Sequence, residues 1–299
     1  MRVLVSGSTG LVGSALVPRL KLEGHEVVRL LRCPPPLGPF EAFWDPGAGR
    51  LEPDAVEGFD AVIHLSGENL AGGRWTEARK RALRASRIDT TRLLADALGR
   101  ARRKPKVLIS ASAVGYYGNR DDEILTEASP AGSGFLATLC RDWEAATTPA
   151  GEAGIRVVLM RSGVILSASG GVLLEMLPVF RLGIGGPLGK GSQWLSWIAL
   201  PDFLRAIEHL IGADAIRGAV NTVSPTPVTN REFTRALGRA LRRPAVLPVP
   251  APALRLLFGE MARETVLASQ RAIPARLNAS GFEFLCPDVE RALGQALAP

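Results

Sequence analysis

Val3-Leu4-Val5-Ser6-Gly7-Ser8-Thr9-Gly10-Leu11-Val12-Gly13 reads as a strand, a tight turn and the start of a helix. The apolar run begins at residue 2, breaks into glycines three apart, and passes into an amphipathic segment from Leu11 to Glu23. A short run with so few polar residues fits a strand covered on both faces. Each glycine has a physical reason. Gly7 permits the turn out of the strand, and Gly13 lets the helix pack closely. Gly10 has no Cβ, so a pyrophosphate can approach its backbone. The N–H groups of the first helical turn carry partial positive charge and face such an anion. Gly7, Ser8, Thr9, Gly10, Leu11, Val12 and Gly13 are therefore the expected diphosphate site for a dinucleotide.

Gly24 is placed to stop this helix. His25 to Leu31 is the next strand, and Arg32 follows it. A dinucleotide fold that prefers NAD puts an acidic residue here for the ribose 2′-hydroxyl. This chain has Arg32 and no Asp or Glu from Val27 to Phe40. A guanidinium fork suits a 2′-phosphate, so NADP(H) is the expected cofactor. Pro34-Pro35-Pro36 and Pro39 make a loop, and Phe40 to Trp44 a short strand. Asp60 to Leu65 is a third apolar run with the exit Ser66-Gly67-Glu68-Asn69. Leu65, Ser66, Gly67 and Glu68 are expected beside the cofactor, at the carboxyl ends of the strands. His64, within the strand, is expected to be a satisfied core histidine.

Further along, strand and helix alternate. Trp75 to Arg100 is helical, with Ile88, Leu93, Leu94, Ala97 and Leu98 toward the sheet. Lys106 to Ala111 is a strand carrying Ser110, Phe135 to Thr147 a helix, and Ile155 to Met160 a strand. That alternation, through residue 165, predicts a doubly wound parallel α/β sheet. Beyond it come an apolar helix to about Leu182, a glycine-rich loop over 183–191, and a strand from Gln193 to Ile198. A helix over Asp202–Ile211 and a strand over Ala219–Val223 precede a helix capped by Thr229 or Asn230. Pro244 to Pro252 reads as extended, with short helices in Ala253–Gln270 and Asp288–Leu297.

The chain has 299 residues, 46% of them apolar, enough for a large core. Its formal charge of +7 is spread over clusters such as Arg79-Lys80-Arg81, Arg100 to Lys106 and Arg239 to Arg243. No aromatic platform is interleaved with them, so they read as helix surface and not as a nucleic-acid footprint. Three cysteines and three histidines are dispersed, which suggests neither a disulfide framework nor a metal site. A first strand at residue 2 leaves no room for a leader, and no apolar run approaches the ~20 residues that span a bilayer. The expectation is a cytoplasmic protein acting on a small molecule, with neither nucleic acid nor membrane as partner.

Several motifs occur in order: Gly7xxGly10xxGly13, Gly67-Glu68-Asn69, Ser110-x-Ser112 with Tyr116-Tyr117-Gly118, Trp143-Glu144-Ala145-Ala146 and Arg161-Ser162-Gly163-Val164. Pro225-Thr226-Pro227-Val228-Thr229-Asn230 and a basic helical tail complete the set. Together they resemble the atypical extended short-chain dehydrogenases/reductases, the YfcH-type epimerase family proteins, some described as SulA-like cell-division inhibitors. The resemblance implies a Rossmann-type domain over 1–165, to which 200–224 return. It also implies a smaller C-terminal α+β substrate domain from 166–199 and 225–299, and NADP(H).

In that superfamily a Tyr-x-x-x-Lys pair on a helix moves the proton, the ammonium lowering the tyrosine pKa. Here Tyr116 is followed four residues on by Arg120 and Tyr117 by Asp121. Alignment on Glu144 puts Leu136 and Cys140 at the two positions. Ser112 remains to hold a substrate oxygen, and Tyr116 or Tyr117 is left to supply the proton, with Arg120 lowering its pKa. The backbone of Arg161, Ser162, Gly163 and Val164 is expected near the nicotinamide, and Trp194 and Trp197 on the substrate side or in the core. The leading expectation is oxidoreductase or epimerase-type chemistry on a small hydroxyl or carbonyl substrate. The alternative is a regulator that kept the nucleotide site and lost turnover.

Overall fold

A computed structural model describes residues 1–33 and 36–298; the expected loop residues Pro34 and Pro35 lie outside the described residues. The first half runs β1 (Arg2–Ser6), α1 (Leu11–Leu22), β2 (Glu26–Leu31), β3 (Glu41–Asp45), β4 (Arg50–Leu51) and β5 (Ala61–His64). Helix α2 (Glu77–Arg84) passes through a π turn, Ala85–Asp89, into α3 (Thr90–Arg100). There follow β6 (Val107–Ala113), β7 (Ile124–Leu125), α4 (Phe135–Ala145), α5 (Thr148–Glu152), β8 (Arg156–Ser162) and β9 (Val164–Leu166). The rest comprises α6 (Gly171–Arg181), β10 (Trp194–Leu195), β11 (Trp197–Ala199), α7 (Leu200–Gly212), β12 (Gly218–Thr222), β13 (Val228–Thr229) and α8 (Asn230–Leu241). The chain closes with α9 (Ala251–Phe258), α10 (Glu260–Glu264), β14 (Arg271–Ala272), α11 (Ala275–Ala279) and α12 (Val289–Ala296).

Eight strands form the main sheet, in the order β12-β8-β6-β5-β1-β2-β3-β4. Its pairings are parallel except for β3 with β4. The doubly wound parallel sheet read from the sequence is therefore present. The order leaves β1 in both directions, toward β2 on one side and β5 on the other. In a sheet of this order the ligand crevice lies between those two departures, at the carboxyl ends of the strands. Side chains alternate along β1. Val3 and Val5 join Leu16, Leu20, Ile63, Ile109 and Phe203 on one face, while Leu4 joins Leu30, Val62, Leu94 and Leu98 on the other. Full burial of each such side chain stabilises by about 1.5–3 kcal/mol before entropy is counted.

Several sequence expectations shift in detail. The π turn inserts a residue into the α2–α3 run and rotates its apolar stripe. Leu94 and Leu98 face the sheet as expected, with Leu93 and Ala97 packed beside them and Ala95 added, whereas Ile88 packs with Trp75, Leu83 and Leu136 in a separate cluster. Strand β6 runs on to Ala113, so Ser112 lies inside it, opposite Arg161 of β8. The strand expected over Gln193–Ile198 is two. β10 pairs antiparallel with β13 and β11 parallel with β9, and Ser196 between them is buried, its Oγ donating to Gln270 O at 2.7 Å. Thr229 is the cap of α8, in a reciprocal pairing with Glu232. Residues 200–222 add α7 and β12 to the main layer, and β7 pairs with β14. The single turn α11 was not expected; five residues give too short a period to read.

His64 is fully buried, with Nδ1 2.6 Å from Ser6 Oγ and Nε2 2.9 Å from Thr91 Oγ1. Burial pushes its pKa down to about 4, so the ring is neutral in the fold. The unfolded chain binds the proton more readily, with an ordinary pKa near 6.5, so stability falls as pH drops from about 6.5 toward 4. Denaturant titrations should show a loss of about 2 kcal/mol between pH 7.5 and 5 that His64→Gln removes from the slope. An unchanged slope in that variant would place the pH dependence elsewhere.

Candidate functional site

The turn after β1 is set by close backbone contacts. Gly7 has φ of +70°, and a Cβ there would lie 2.6 Å from the Leu65 carbonyl carbon. A Cβ on Gly13 would lie 2.3 Å from Gly7 O and 2.6 Å from Ser8 Cα. Helix α1 thus packs on the turn itself, not only on the sheet. Gly10 is its N-cap, with no side-chain cap and no acid in the first turn. The nearest atom to a Cβ at Gly10 would be Gly7 O at 3.5 Å, and Thr9 and Gly10 are exposed. Ser8 Oγ is buried without a hydrogen-bond partner. Leu11 and Val12 are half-buried beside this open end. An anion at the end of α1 would meet uncapped N–H groups and an unused hydroxyl, with no competing carboxylate.

Across the crevice, β5 exits through Leu65, whose N–H donates to Ser6 O at 3.2 Å. Ser66 is half-buried and Gly67 exposed. Glu68 is paired with Arg79 and is not a lone carboxylate. Arg32 is exposed at the end of β2 and has no ion pair among the described residues. Arg87, which the sequence reading missed, stands on the π turn and is only 7% exposed. It donates to Glu68 O at 2.8 Å and lies over the Trp143 ring at 5.3 Å. Burial pulls its pKa below the usual guanidinium value. A helical pattern alone gives no sign that one of its arginines points inward.

Ser112 is buried and donates to Glu144 Oε1 at 2.6 Å. Glu144 also accepts two bonds from Arg161, Nε to Oε1 and Nη2 to Oε2, both at 2.8 Å. Burial opposes the charge on Arg161, but the hydrogen bonds and charge of Glu144 outweigh it and raise the pKa. Arg161 Nη1 donates to Tyr117 Oη at 3.1 Å, and Tyr117 Oη donates to Asn221 Oδ1 at 2.7 Å. Tyr117 is fully buried, and burial pushes its pKa up despite the Arg161 bond. Tyr116 is half-buried, its ring stacked 3.4 Å from Arg161 Cζ. Arg120 is spent on Glu123 and Pro130 O, not on a tyrosine.

The remaining expected positions fall close by. Ser110 is buried in β6, opposite His64. Ser162 Oγ donates to Ser112 O at 3.0 Å. Gly163 N donates to Thr222 O and Val164 N to Ser196 O, so this backbone is largely tied to its neighbours. A Cβ on Gly163 would lie 2.4 Å from Ser196 O. Cys140, at the family's lysine position, is buried, and burial pushes its thiol up to about 12. Trp197 is fully buried, with Nε1 donating to Thr226 O. Trp194 is half-buried and donates to Asp122. No cluster of His, Cys, Asp and Glu fit for a metal occurs among the described residues.

The model of the NAD dependent epimerase/dehydratase family matches residues 3–221, and that of a domain of unknown function, DUF1731, matches residues 249–296. An epimerase family protein of Mycobacterium tuberculosis, MT2273, is 47% identical over 294 residues, spanning 98% of this chain and 97% of that protein. The human epimerase family protein SDR39U1 is 37% identical over 301 residues, spanning 100% of each. The crystal structure of human SDR39U1 (isoform2) with NADPH superposes with a TM-score of 0.90 at 36% identity, covering 99% of each chain.

The Glu144–Arg161 pair is desolvated, with side chains 10% and 5% exposed. Glu144→Gln leaves a buried guanidinium without its counter-ion. Urea denaturation should show a loss of about 3 kcal/mol, against about 1 for Ser112→Ala. A loss below about 1 kcal/mol in Glu144→Gln would mean that water already screens the pair.

Proposed function

The chain belongs to the NAD dependent epimerase/dehydratase family, as an atypical extended short-chain dehydrogenase/reductase, and from that premise we propose that it binds NADP(H) and transforms a small hydroxyl or carbonyl substrate. The observation that carries this reading is the end of α1. Its first turn has no cap and no acid, and a buried Ser8 hydroxyl beside it lacks a partner. Ser8 to Gly13 would hold the diphosphate, with Gly7 shaping the turn. Arg32 would take the 2′-phosphate, and Leu65 to Glu68 would flank the ribose side. Ser110 and the run Arg161 to Val164 would close the nicotinamide end, chiefly as walls.

When bound, the nicotinamide supplies or accepts a hydride. The chain's own part is to orient the substrate and move a proton. Ser112 already donates its hydrogen to Glu144, so its oxygen is free to accept from a substrate hydroxyl. A proton leaving that hydroxyl has Glu144 behind Ser112 as its acceptor, with Arg161 fixing the carboxylate. Tyr116 is the more accessible of the two tyrosines for proton donation. Tyr117 is better suited to hold Arg161 in place. The absence of an ammonium at Cys140 favours a second reading, a nucleotide-binding regulator without turnover.

Two experiments test these readings. In calorimetric titration, Arg32→Asp should weaken NADPH binding far more than NADH binding; equal loss for both would refute the 2′-phosphate assignment. Purified protein with NADPH and a panel of carbonyl compounds should oxidise the coenzyme, and Ser112→Ala should slow this ~10²-fold or more. Tight NADPH binding with no Ser112-dependent oxidation across the panel would favour the regulator.

A further inference from the structure

From Phe233 to Gly259 the chain has no aspartate or glutamate and five arginines, at 235, 239, 242, 243 and 255. Arg242 caps α8 in the left-handed region, φ 53°, and the chain then turns along the segment that follows α6. Leu247 N donates to Gly185 O at 3.2 Å, and a Cβ on Gly183 would lie 3.3 Å from Pro244. The two segments present aliphatic side chains to solvent: Leu182 at 74% exposure, Ile184 at 52%, Val246 at 72% and Leu247 at 52%. Beside them lies an open depression of about 360 Å³ lined by Arg235, Arg239, Arg242, Arg243, Ala245 and Val246. Arg239 pairs with Glu290 and Arg235 lies within electrostatic reach of Glu232; Arg242 and Arg243 have no ion pair among the described residues. The stretch runs on into α9, which exposes Arg255, Leu256 and Leu257.

Large exposed aliphatics beside unpaired arginines mark a surface that something covers. Charge decides what. Glu290 and Glu232 offset only Arg239 and Arg235, so Arg242 and Arg243 call for an anionic partner, and the aliphatic side chains for an apolar one. The headgroup–acyl boundary of an anionic bilayer offers both within one layer. A nucleic acid would satisfy the arginines but leave Leu182, Ile184, Val246 and Leu247 in water, without an aromatic platform to stack on its bases. We propose that this face docks on an anionic phospholipid surface, with lipid phosphates in the arginine depression and the four aliphatics at the acyl boundary. Attachment is peripheral: no helix among the described residues is long and apolar enough to cross a membrane. The proposal replaces the sequence expectation of no membrane partner, which treated the Arg239–Arg243 cluster as helix surface without its aliphatic neighbours in view.

The test is co-sedimentation of the full chain with vesicles of phosphatidylglycerol in phosphatidylcholine and of phosphatidylcholine alone. Retention should require phosphatidylglycerol and fall with salt. The double variant Arg242→Gln/Arg243→Gln should weaken it about twentyfold. Val246→Asp/Leu247→Asp should weaken it at least as much, with thermal melting and NADPH titration unchanged as controls for folding. No retention, equal retention on both vesicles, or retention that both variants leave intact would overturn the proposal. So would RNA binding in place of vesicle binding, or self-association that buries Val246 and Leu247.

Discussion

The contact of Gly13 with the backbone of Gly7 and Ser8 is the constraint on which the rest of the molecule depends. It brings the first turn of α1 against the end of the central strand, closer than any side chain allows. Because β1 lies where the sheet order reverses, the helix end then points into the crevice beside β5. A helix end held there without a cap leaves donors unsatisfied. So does the unpartnered hydroxyl of Ser8. Such groups cost stability when nothing meets them, which is the physical ground for assigning them a ligand.

A second constraint organises the neighbouring wall. Glu144 of α4 and Arg161 of β8 form a bidentate pair that draws Ser112 of β6 and Tyr117 into one network. The pair ties the helix to two strands and fixes the Ser112 hydroxyl with its hydrogen already committed. The chemistry open to Ser112 follows from this: it is better placed to accept a hydrogen bond than to donate one. Where the wider superfamily uses a phenol and an ammonium, the buried charges here are a carboxylate and two guanidiniums, Arg161 and Arg87.

The opening of the chain was legible because glycine spacing and an apolar run are local signals. Gly7, Gly10 and Gly13 follow directly on a strand, and the order of strands and helices after them repeats the pattern. Arg32 is found exposed just past β2, the place that its position after an apolar strand implied; its role toward a 2′-phosphate is a proposal. The Glu144–Arg161 pair was not legible, because the partners are seventeen residues apart and meet only when α4 packs against β8. The inward turn of Arg87 depends on a π turn that shifts the helical period. The exposed aliphatics of 182–184 and 246–247 read as ordinary loop and helix ends until the two segments are seen side by side. Tyr116 and Tyr117 were equivalent in the sequence; burial separates them.

The central claim is that the start of α1 receives a diphosphate. The backbone amide resonances of that turn report on the site directly, whatever the substrate proves to be. Addition of NADPH to isotopically labelled protein should move the amide signals of Ser8, Gly10, Leu11, Val12 and Gly13 well beyond those of the far sheet edge. Saturating NADPH that leaves those five amides unmoved would contradict the account.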